Sequence, residues 1–212
     1  YISSEFGYRN NEVQYLGFCR FDRLISTSSR RQILFMPTWR AGQHLELEFE
    51  KSDYFIKIGL LLSNQKLNRY LQETNTELVF FIHPSIRDKK KYFARFANSN
   101  IRVMNNEDYD LQKLICSANL LLTDYSSIYF DFAYQGKPVV YYQYDYEEYR
   151  RGHYAEGYFS YENDGFGPIC KDEQTLVHTL ISIAETDWKL EEKYAKRAER
   201  FFPCRDKNNC LR

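Results

Sequence analysis

The feature that most constrains this chain is a regular alternation of short, continuous apolar runs with helical segments from Gln32 onward. A run such as Leu78–Ile82 shows no alternation of polar and apolar residues, which is typical of a strand buried on both faces. The predicted strands are Ile33–Met36, Glu77–Ile82, Ile101–Met104, Asn119–Thr123 and Pro138–Tyr142. We therefore expect an α/β fold with an open parallel sheet and helices on both faces.

Helical periodicity fills the intervals between these strands. Apolar residues at spacings of three and four, such as Phe55, Ile58 and Leu62, predict the first helix. Gly136 follows a predicted helix at a position that favours a left-handed cap. The predicted helices are 54–71, 87–97, 111–116, 126–135, 173–185 and 188–202, and residues 144–168 are predicted to form a loop.

The section before Gln32 follows a different pattern. Val13–Gly17 is predicted to be one strand, and Arg20–Ser29 a polar connector. We interpret residues 1–30 as the tail of a preceding domain with a linker, and residues 31–212 as a separate domain. The abrupt beginning at Tyr1, without a start methionine, leads us to expect a piece of a longer protein.

Charge and cysteine usage exclude several classes of protein. Lys and Arg together number 29, as do Asp and Glu, so the formal net charge is zero. A sequence-independent nucleic-acid binder needs a basic surface, so no nucleic acid partner is expected. No run approaches the roughly 20 apolar residues of a membrane span. The five cysteines are scattered without a CxxC pair, which indicates reduced thiols rather than a disulfide framework.

Polar residues gather directly after the predicted strands. In an open parallel sheet, ligands bind at the carboxyl ends of the strands. The polar segments are Pro37–Arg40, His83–Ser85, Asn105–Asp108, Asp124–Ser127 and Tyr144–Arg150. Their shared edge of the sheet indicates a binding site more strongly than any one segment does alone.

Asp124–Ser127 is the most informative of these segments. Ser126 and Ser127 open a predicted helix, where free backbone N–H groups and the helix dipole favour an anion such as phosphate. Asp131 lies one turn further on the same face and could accept hydrogen bonds from ribose hydroxyls. The same residues also fit an ordinary helix cap with a solvated Asp131, and this turn alone supports both interpretations.

Other residues have chemistry suited to a phosphate substrate. His83 could bind phosphate or act as a general acid, although a histidine at a strand end is often only hydrogen-bonded. Arg40 and Arg150 offer forked donors to phosphate, with surface arginines as the alternative. We predict neither a cofactor nor a metal, because GxGxxG, GxxxxGK[ST] and clustered His and Cys residues are absent from the sequence. Asp108–Asp110 has the DxD form of metal-dependent sugar transferases, but capping of the next helix explains it better.

Together these segments resemble the bacterial CDP-glycerol glycerophosphotransferase family, the teichoic-acid primases and polymerases. The resemblance covers nearly the whole chain, in the order and spacing of the family. Its motifs are Gly17–Asp22, Leu34–Arg40, Phe81–Pro84, Leu121–Asp131, Gly136–Pro138, Tyr144–Arg150, Arg151–Tyr154 and Gly167–Ile169. Two small departures are Cys19 and Phe166, at positions where the family often has proline.

The resemblance implies that residues 31–212 are the C-terminal, donor-binding domain of a GT-B type transferase with a Rossmann-like sheet. Such enzymes transfer glycerol phosphate, or a related polyol phosphate, from CDP-glycerol to an acceptor hydroxyl and release CMP. They build teichoic acid or capsular polymer on lipid-linked polyol-phosphate or glycan acceptors, as peripheral proteins at the cytoplasmic face of the bacterial membrane. The family's second histidine lies in a His-Gly-Thr motif of the N-terminal domain. That motif is absent here, so we expect the isolated chain to be inactive without that domain.

The same resemblance assigns site residues. His83 matches the essential histidine of the donor domain and is the expected catalytic residue. The expected donor-binding residues are Thr38, Arg40, Thr123, Asp124, Ser126, Ser127, Asp131 and Arg150. Two alternatives stay open: a GT-B glycosyltransferase that uses a nucleotide sugar, and a non-catalytic nucleotide-binding module.

Overall fold

A parallel sheet forms the centre of the computed structural model, which describes residues 6–9, 11–27, 30–40, 46–152, 157 and 159–212. Its strands are β1 (Gln32–Phe35), β2 (Glu77–Phe81), β3 (Ile101–Met104), β4 (Leu120–Thr123), β5 (Val139–Tyr142) and β6 (Ile169–Cys170). They lie in the order β3-β2-β1-β4-β5-β6, and every neighbouring pair is parallel. The predicted open, Rossmann-like parallel sheet is confirmed, and β1 to β5 lie where apolar runs predicted them.

The order of the strands reverses between β1 and β4. β2 and β3 extend the sheet on one side of β1, and the chain then returns to pair β4 with the other side, where Leu34 lies opposite Leu121. A reversal of this kind opens a crevice at the carboxyl ends of the two strands. The segments that follow β1 and β4 therefore meet at this crevice.

Helices cover both faces of the sheet, as predicted. Because successive side chains of a strand point to opposite faces, Ile33 and Phe35 belong to one hydrophobic core and Leu34 and Met36 to the other. The α-helices are α1 (Asp53–Ser63), α2 (Gln65–Glu73), α3 (Lys90–Phe93), α4 (Leu111–Ser117), α5 (Tyr129–Tyr134), α6 (Tyr146–Gly152), α7 (Tyr161–Asp164), α8 (Glu173–Glu185) and α9 (Glu192–Phe201). Helices α1, α2 and α8 pack on the first face, and α4, α5 and α9 on the second.

Several predicted helices differ in extent from the observed ones. Asn64 divides the helix predicted over 54–71, since its extended backbone ends α1 and its side chain caps α2 by accepting from the N–H of Leu67 (2.9 Å). The helix predicted over 87–97 consists of 3₁₀ turns around the short α3. The predicted loop over 144–168 contains α6 and α7. Asp187 and Trp188 have left-handed φ angles, so α9 begins after them.

The segment before β1 packs against the sheet domain. Residues 13–17 do not form the predicted strand, and Cys19–Arg23 form a 3₁₀ helix. Phe21 is buried, with its ring 4.5 Å from that of Tyr134. These contacts attach the segment to the domain, and the predicted division near residue 30 stays a prediction.

Hydrogen bonds between the two ends of the described chain hold this segment in place. The carboxylate of Asp22 accepts from the backbone N–H (3.0 Å) and the side-chain amide (2.6 Å) of Asn209. It also accepts from the N–H of Cys210 (2.8 Å). We call these contacts the terminal clasp. Gly17 has a left-handed φ of 81°, and any side chain there would collide with Asn209.

Other sequence features have local explanations. Gly136 has a φ of 70°, which confirms the predicted left-handed cap. Asp110 accepts from the N–H of Gln112 (2.9 Å) and so caps α4, as predicted for the DxD-like segment. All five cysteines are free thiols. In the part of the chain that the structure describes, no His, Cys, Asp and Glu cluster could hold a metal, and no helix is both long and apolar enough to cross a bilayer.

Candidate functional site

The segment that follows β4 enters the crevice between β1 and β4. The last residue of β4, Thr123, is fully buried, and its hydroxyl donates to the carbonyl of Met36 (2.7 Å). Asp124 is 2% exposed, and its Oδ1 accepts from the backbone N–H groups of Thr38 (2.8 Å) and Tyr125 (2.5 Å). Both residues therefore join the segment after β4 to the segment after β1.

Arg40 extends this connection to a third strand. Its guanidinium pairs with Asp124 (2.9 Å) and with Asp145 (2.6 Å), which follows β5. The hydroxyl of Tyr125 also donates to Asp145 (3.0 Å). We refer to Arg40, Asp124, Tyr125 and Asp145 as the arginine cluster. It joins the carboxyl ends of β1, β4 and β5.

The arginine cluster is largely withdrawn from solvent. The side chain of Arg40 is only 13% exposed. Four aromatic rings lie 5.1–5.8 Å from its guanidinium carbon, those of Tyr54, Tyr125, Tyr144 and Tyr149. Burial alone would lower the pKa of Arg40, but the charge of Asp124 and the hydrogen bond to Asp145 hold it above its ordinary value. The guanidinium is thus charged and already neutralised by two carboxylates, which is typical of a structural connection.

Ser126 and Ser127 occupy a more accessible place than Asp124, since Ser126 is half-buried and Ser127 is exposed. They line a cleft of about 650 Å³, which we call the serine cleft. Its lining also includes Arg20, Arg23, Met36, Leu111, Ile128 and Asp131. Across the described ranges, the backbone N–H groups of Ser126, Ser127 and Ile128 donate to no protein acceptor. Two hydroxyls and three such amides in succession form a site suited to an anion.

The helix after these serines begins later than predicted. Residues 126–128 form a turn in which Ser126 and Ser127 accept from N–H groups three residues ahead, and α5 begins at Tyr129. The prediction of a strand, a turn and a helix is therefore confirmed in kind, but the start of the helix at Ser126 was wrong. The serines stand in the turn itself.

Asp131 lies at the base of the serine cleft, and the interpretation of a solvated residue was wrong. Its side chain is 9% exposed and pairs with Arg20 (3.2 Å between Nη2 and Oδ1). Burial raises the pKa of Asp131 to about 6, although the charge of Arg20 opposes the shift. Asp131 is therefore a carboxylate with little access to water whose partner comes from the segment before β1.

His83 stands at the carboxyl end of β2, outside the lining of the serine cleft. Two strand intervals separate β2 from β4, roughly 10 Å at the usual spacing. The Nδ1 of His83 accepts from the backbone N–H of Ser85 (3.2 Å). Burial lowers the pKa of His83, an effect that the charge of Asp124 partly offsets. The ring is therefore neutral near pH 7, with its proton on Nε2.

Arg150 belongs to neither group. It lies on α6 with its guanidinium carbon 5.3 Å from the ring of Tyr146. Its neighbour Tyr149 does contact the arginine cluster. The ring of Tyr149 stacks on the ring of Tyr125, with the centroids 3.7 Å apart and an angle of 10° between the ring planes. His153 and Tyr154, from the last part of this motif, lie outside the described residues.

The structure thus divides the predicted donor-binding residues into two groups and adds members to each. Thr38, Thr123, Asp124 and Arg40 make internal contacts, whereas Ser126, Ser127 and Asp131 line a cleft. Their roles toward a donor, like those of His83 and Arg150, stay predictions. Sequence reasoning did not assign Tyr125, Asp145 or Arg20. Each of the three lies within a motif of the family resemblance, and that position was the signal that could have marked it as a site residue. No rule of sequence spacing, however, pairs Arg20 with Asp131.

Comparison with known proteins gives these groups a family context. The family model described as CDP-glycerol:poly(glycerophosphate) glycerophosphotransferase matches residues 5–212. The chain is 31% identical over 224 residues to the minor teichoic acid biosynthesis protein GgaB of Bacillus subtilis (strain 168). That alignment covers 98% of this chain and 24% of GgaB, so the chain spans about a quarter of that relative.

Solved structures show the same fold. The wall teichoic acid polymerase TagF matches with a TM-score of 0.69 at 20% identity, over 99% of this chain and 53% of the TagF chain. A TagF variant soaked with CDPG matches with a TM-score of 0.65 at 19% identity, over 99% of this chain and 51% of that one. The parallel sheet and its helices therefore have the fold of GT-B type transferases, and this chain spans about half of each TagF chain.

Proposed function

This chain belongs to the CDP-glycerol:poly(glycerophosphate) glycerophosphotransferase family, and we propose that it forms the donor-binding part of a polyol-phosphate transferase. The donor is CDP-glycerol or a related CDP-activated polyol. The acceptor is a hydroxyl of a lipid-linked polyol phosphate or glycan, and the product is teichoic acid or capsular polymer. The CDPG-soaked TagF structure supports a donor of this kind, because its fold extends over this whole chain.

The observation that carries the proposal is the position of the serine cleft. It lies where the strand order reverses, which is where open α/β sheets bind nucleotides. Ser126, Ser127 and the three amides of their turn offer donors to a diphosphate. Asp131 offers an acceptor to the hydroxyl groups of a nucleoside. Both kinds of group are needed to hold a cytidine diphosphate.

The proposed reaction is the displacement of CMP. The acceptor oxygen attacks the phosphorus that carries glycerol, a new O–P bond forms, and the O–P bond to CMP breaks with its electron pair. CMP leaves as a phosphate monoester, whose second pKa near 6 makes it a good leaving group without a proton. The step therefore needs charge stabilisation on the donor and a base for the acceptor proton.

His83 is suited to the first of these tasks. Its Nδ1 is engaged by Ser85, so the Nε2–H of the neutral ring can donate to a phosphate oxygen as negative charge builds there. The base belongs to the preceding domain, as the resemblance implies, and the chain needs that domain for turnover. The same resemblance supports a location at the inner face of the bacterial membrane.

Calorimetric titration of the chain with CDP-glycerol, CDP-ribitol and UDP-glucose tests the proposal. We expect at least one cytidine donor to bind about ten times more tightly than UDP-glucose, a difference of about 1.4 kcal/mol. Preferential binding of UDP-glucose would indicate a nucleotide-sugar transferase instead. A folded chain that binds none of the three would indicate a module without a donor site.

A further inference from the structure

We propose that Arg20, which lies before the sheet domain, is a contact for the donor diphosphate and completes the serine cleft. The inference rests on the proposed function and adds to it a residue and the group that this residue recognises. Because sequence reasoning placed Arg20 in a polar connector, no donor contact was expected from this segment.

Arg20 and the serines share one cleft. Arg20, Ser126, Ser127 and Asp131 all line it, and the Nη2 of Arg20 is 3.2 Å from a carboxylate oxygen of Asp131. The side chain of Arg20 is 59% exposed, whereas that of Asp131 is 9% exposed. The guanidinium therefore stands between a buried carboxylate and the open volume of the cleft.

Most donors of this guanidinium are available to a ligand. Arginine carries five N–H donors in a planar fork, which matches two phosphate oxygens. Within the described ranges, the ion pair with Asp131 is the one polar contact of the Arg20 side chain. The guanidinium carbon also lies 5.1 Å from the centroid of the Phe21 ring. Asp131 thus orients one edge of the fork and leaves the other edge for an anion.

The backbone that carries Arg20 is fixed on both sides. Gly17 packs against Asn209, Phe21 is buried in the core, and Asp22 makes the three hydrogen bonds of the terminal clasp. A mobile linker would have to be ordered when a ligand binds, at a cost in conformational entropy. Here the backbone around Arg20 is already ordered before a ligand binds, so a contact from Arg20 does not carry this entropic cost.

The charge balance of the cleft also requires a cation. A diphosphate brings at least two negative charges beside Asp131, a buried carboxylate, and like charges at such distances repel each other. Hydroxyls and amides carry no net charge to offset this, and of the two arginines that line the cleft, Arg20 and Arg23, it is Arg20 that pairs with Asp131. Arg20 lies between the two anions and can pair with both.

The test compares the affinities of CDP and cytidine for the wild-type chain and for Arg20→Gln. If Arg20 contacts the diphosphate, Arg20→Gln should bind CDP about tenfold more weakly and cytidine equally well. Arg20→Lys should fall between them, because it keeps the charge but loses the fork. The affinity of the wild-type chain for CDP should also depend more steeply on salt than that of Arg20→Gln.

Arg200→Gln is the matched control. Arg200 is 70% exposed and pairs with Asp164 (2.8 Å) outside the cleft, so its loss should leave both affinities unchanged. Equal CDP affinity of wild type and Arg20→Gln would overturn the inference. So would an equal loss of CDP and cytidine affinity, since that indicates a structural role. If the wild-type chain binds no CDP, the proposed function itself fails, and the inference with it.

Discussion

The arginine cluster and the serine cleft are adjacent parts of one short segment, yet they differ in almost every physical property. In the cluster, Asp124 is nearly inaccessible and its partners are backbone amides and Arg40. In the cleft, Ser127 is exposed and the amides of its turn have no protein acceptor among the described residues. The polar groups of Asp124 are bonded within the protein, whereas the amides and hydroxyls of the serine turn are available to a ligand. The comparison shows how inward-facing residues can fix the backbone of a turn while its outward-facing residues stay accessible.

Replacement of Arg40 tests the structural half of this comparison. Arg40→Met would leave the carboxylates of Asp124 and Asp145 buried without their cation, and loss of one partner of a buried pair costs about 3–5 kcal/mol. We expect the free energy of unfolding in urea to fall by that amount. Arg200→Met removes an exposed pair of the same type and should have little effect. Unchanged stability of Arg40→Met would mean that Arg40 serves the ligand and not the fold.

Replacement of His83 tests the predicted catalytic residue, which belongs neither to the arginine cluster nor to the serine cleft. In the full-length enzyme, His83→Ala should lower the rate of transfer by about 10²–10⁴-fold, the usual size of a positioned donor's contribution. The free energy of unfolding should change little, because His83 is half-buried and, within the part of the chain that the structure describes, its side chain accepts a single local hydrogen bond, from the N–H of Ser85. His178→Ala, on the exposed side of α8, is the control. Near-normal turnover of His83→Ala would remove His83 from the mechanism.

The pH dependence of stability tests the raised pKa of Asp131, because burial in the folded chain disfavours the charged form of this residue. Its pKa is about 6 in the folded chain and about 3.9 when unfolded, so between these values the native state holds a proton that the unfolded state has lost. Its contribution to stability is present below pH 4 and is lost as the pH rises through 6, roughly 2–3 kcal/mol in total. Urea denaturation between pH 4 and 7 should show that Asp131→Asn gains stability relative to wild type across this window. A constant difference between the two would contradict the assignment.

The smallest expected effect tests the binding half of the comparison. Ser127→Ala removes one exposed hydroxyl, which should weaken CDP-glycerol binding by about 1 kcal/mol, close to fivefold, and leave unfolding unchanged. Ser182→Ala, exposed on α8, should alter neither quantity. Equal affinity of Ser127→Ala and wild type would exclude this hydroxyl from the donor contacts.

Sequence reasoning predicted the elements whose causes are local. The apolar runs of β1 to β5, the left-handed Gly136 and the cap at Asp110 each depend on a few neighbouring residues, and all were confirmed. The division at Asn64 was missed because a single capping side chain interrupted a continuous helical pattern.

Sequence reasoning predicted that the polar segments share one edge of the sheet, but it did not predict how their side chains are arranged there. The gathering of polar residues at the strand ends correctly indicated the crevice. Which of them turn inward depends on contacts between distant segments, such as the pair of Arg40 and Asp145, 105 residues apart. The pair of Arg20 and Asp131 depends likewise on the terminal clasp, whose partners are 187 and 188 residues apart. Contacts between such distant residues leave no periodic pattern in the sequence, so they could not be predicted from it.

The terminal clasp has a mechanical consequence. Because Asp22 is bonded to Asn209 and Cys210, tension applied between residue 18 and residue 212 is first carried by three hydrogen bonds rather than by the ladders of the sheet. Loss of those bonds and of the packing of Phe21 on Tyr134 would release Arg20 from Asp131 without the separation of any strand. Under load, the cleft would lose the ion pair of Arg20 with Asp131 while the ladders of the sheet remained intact.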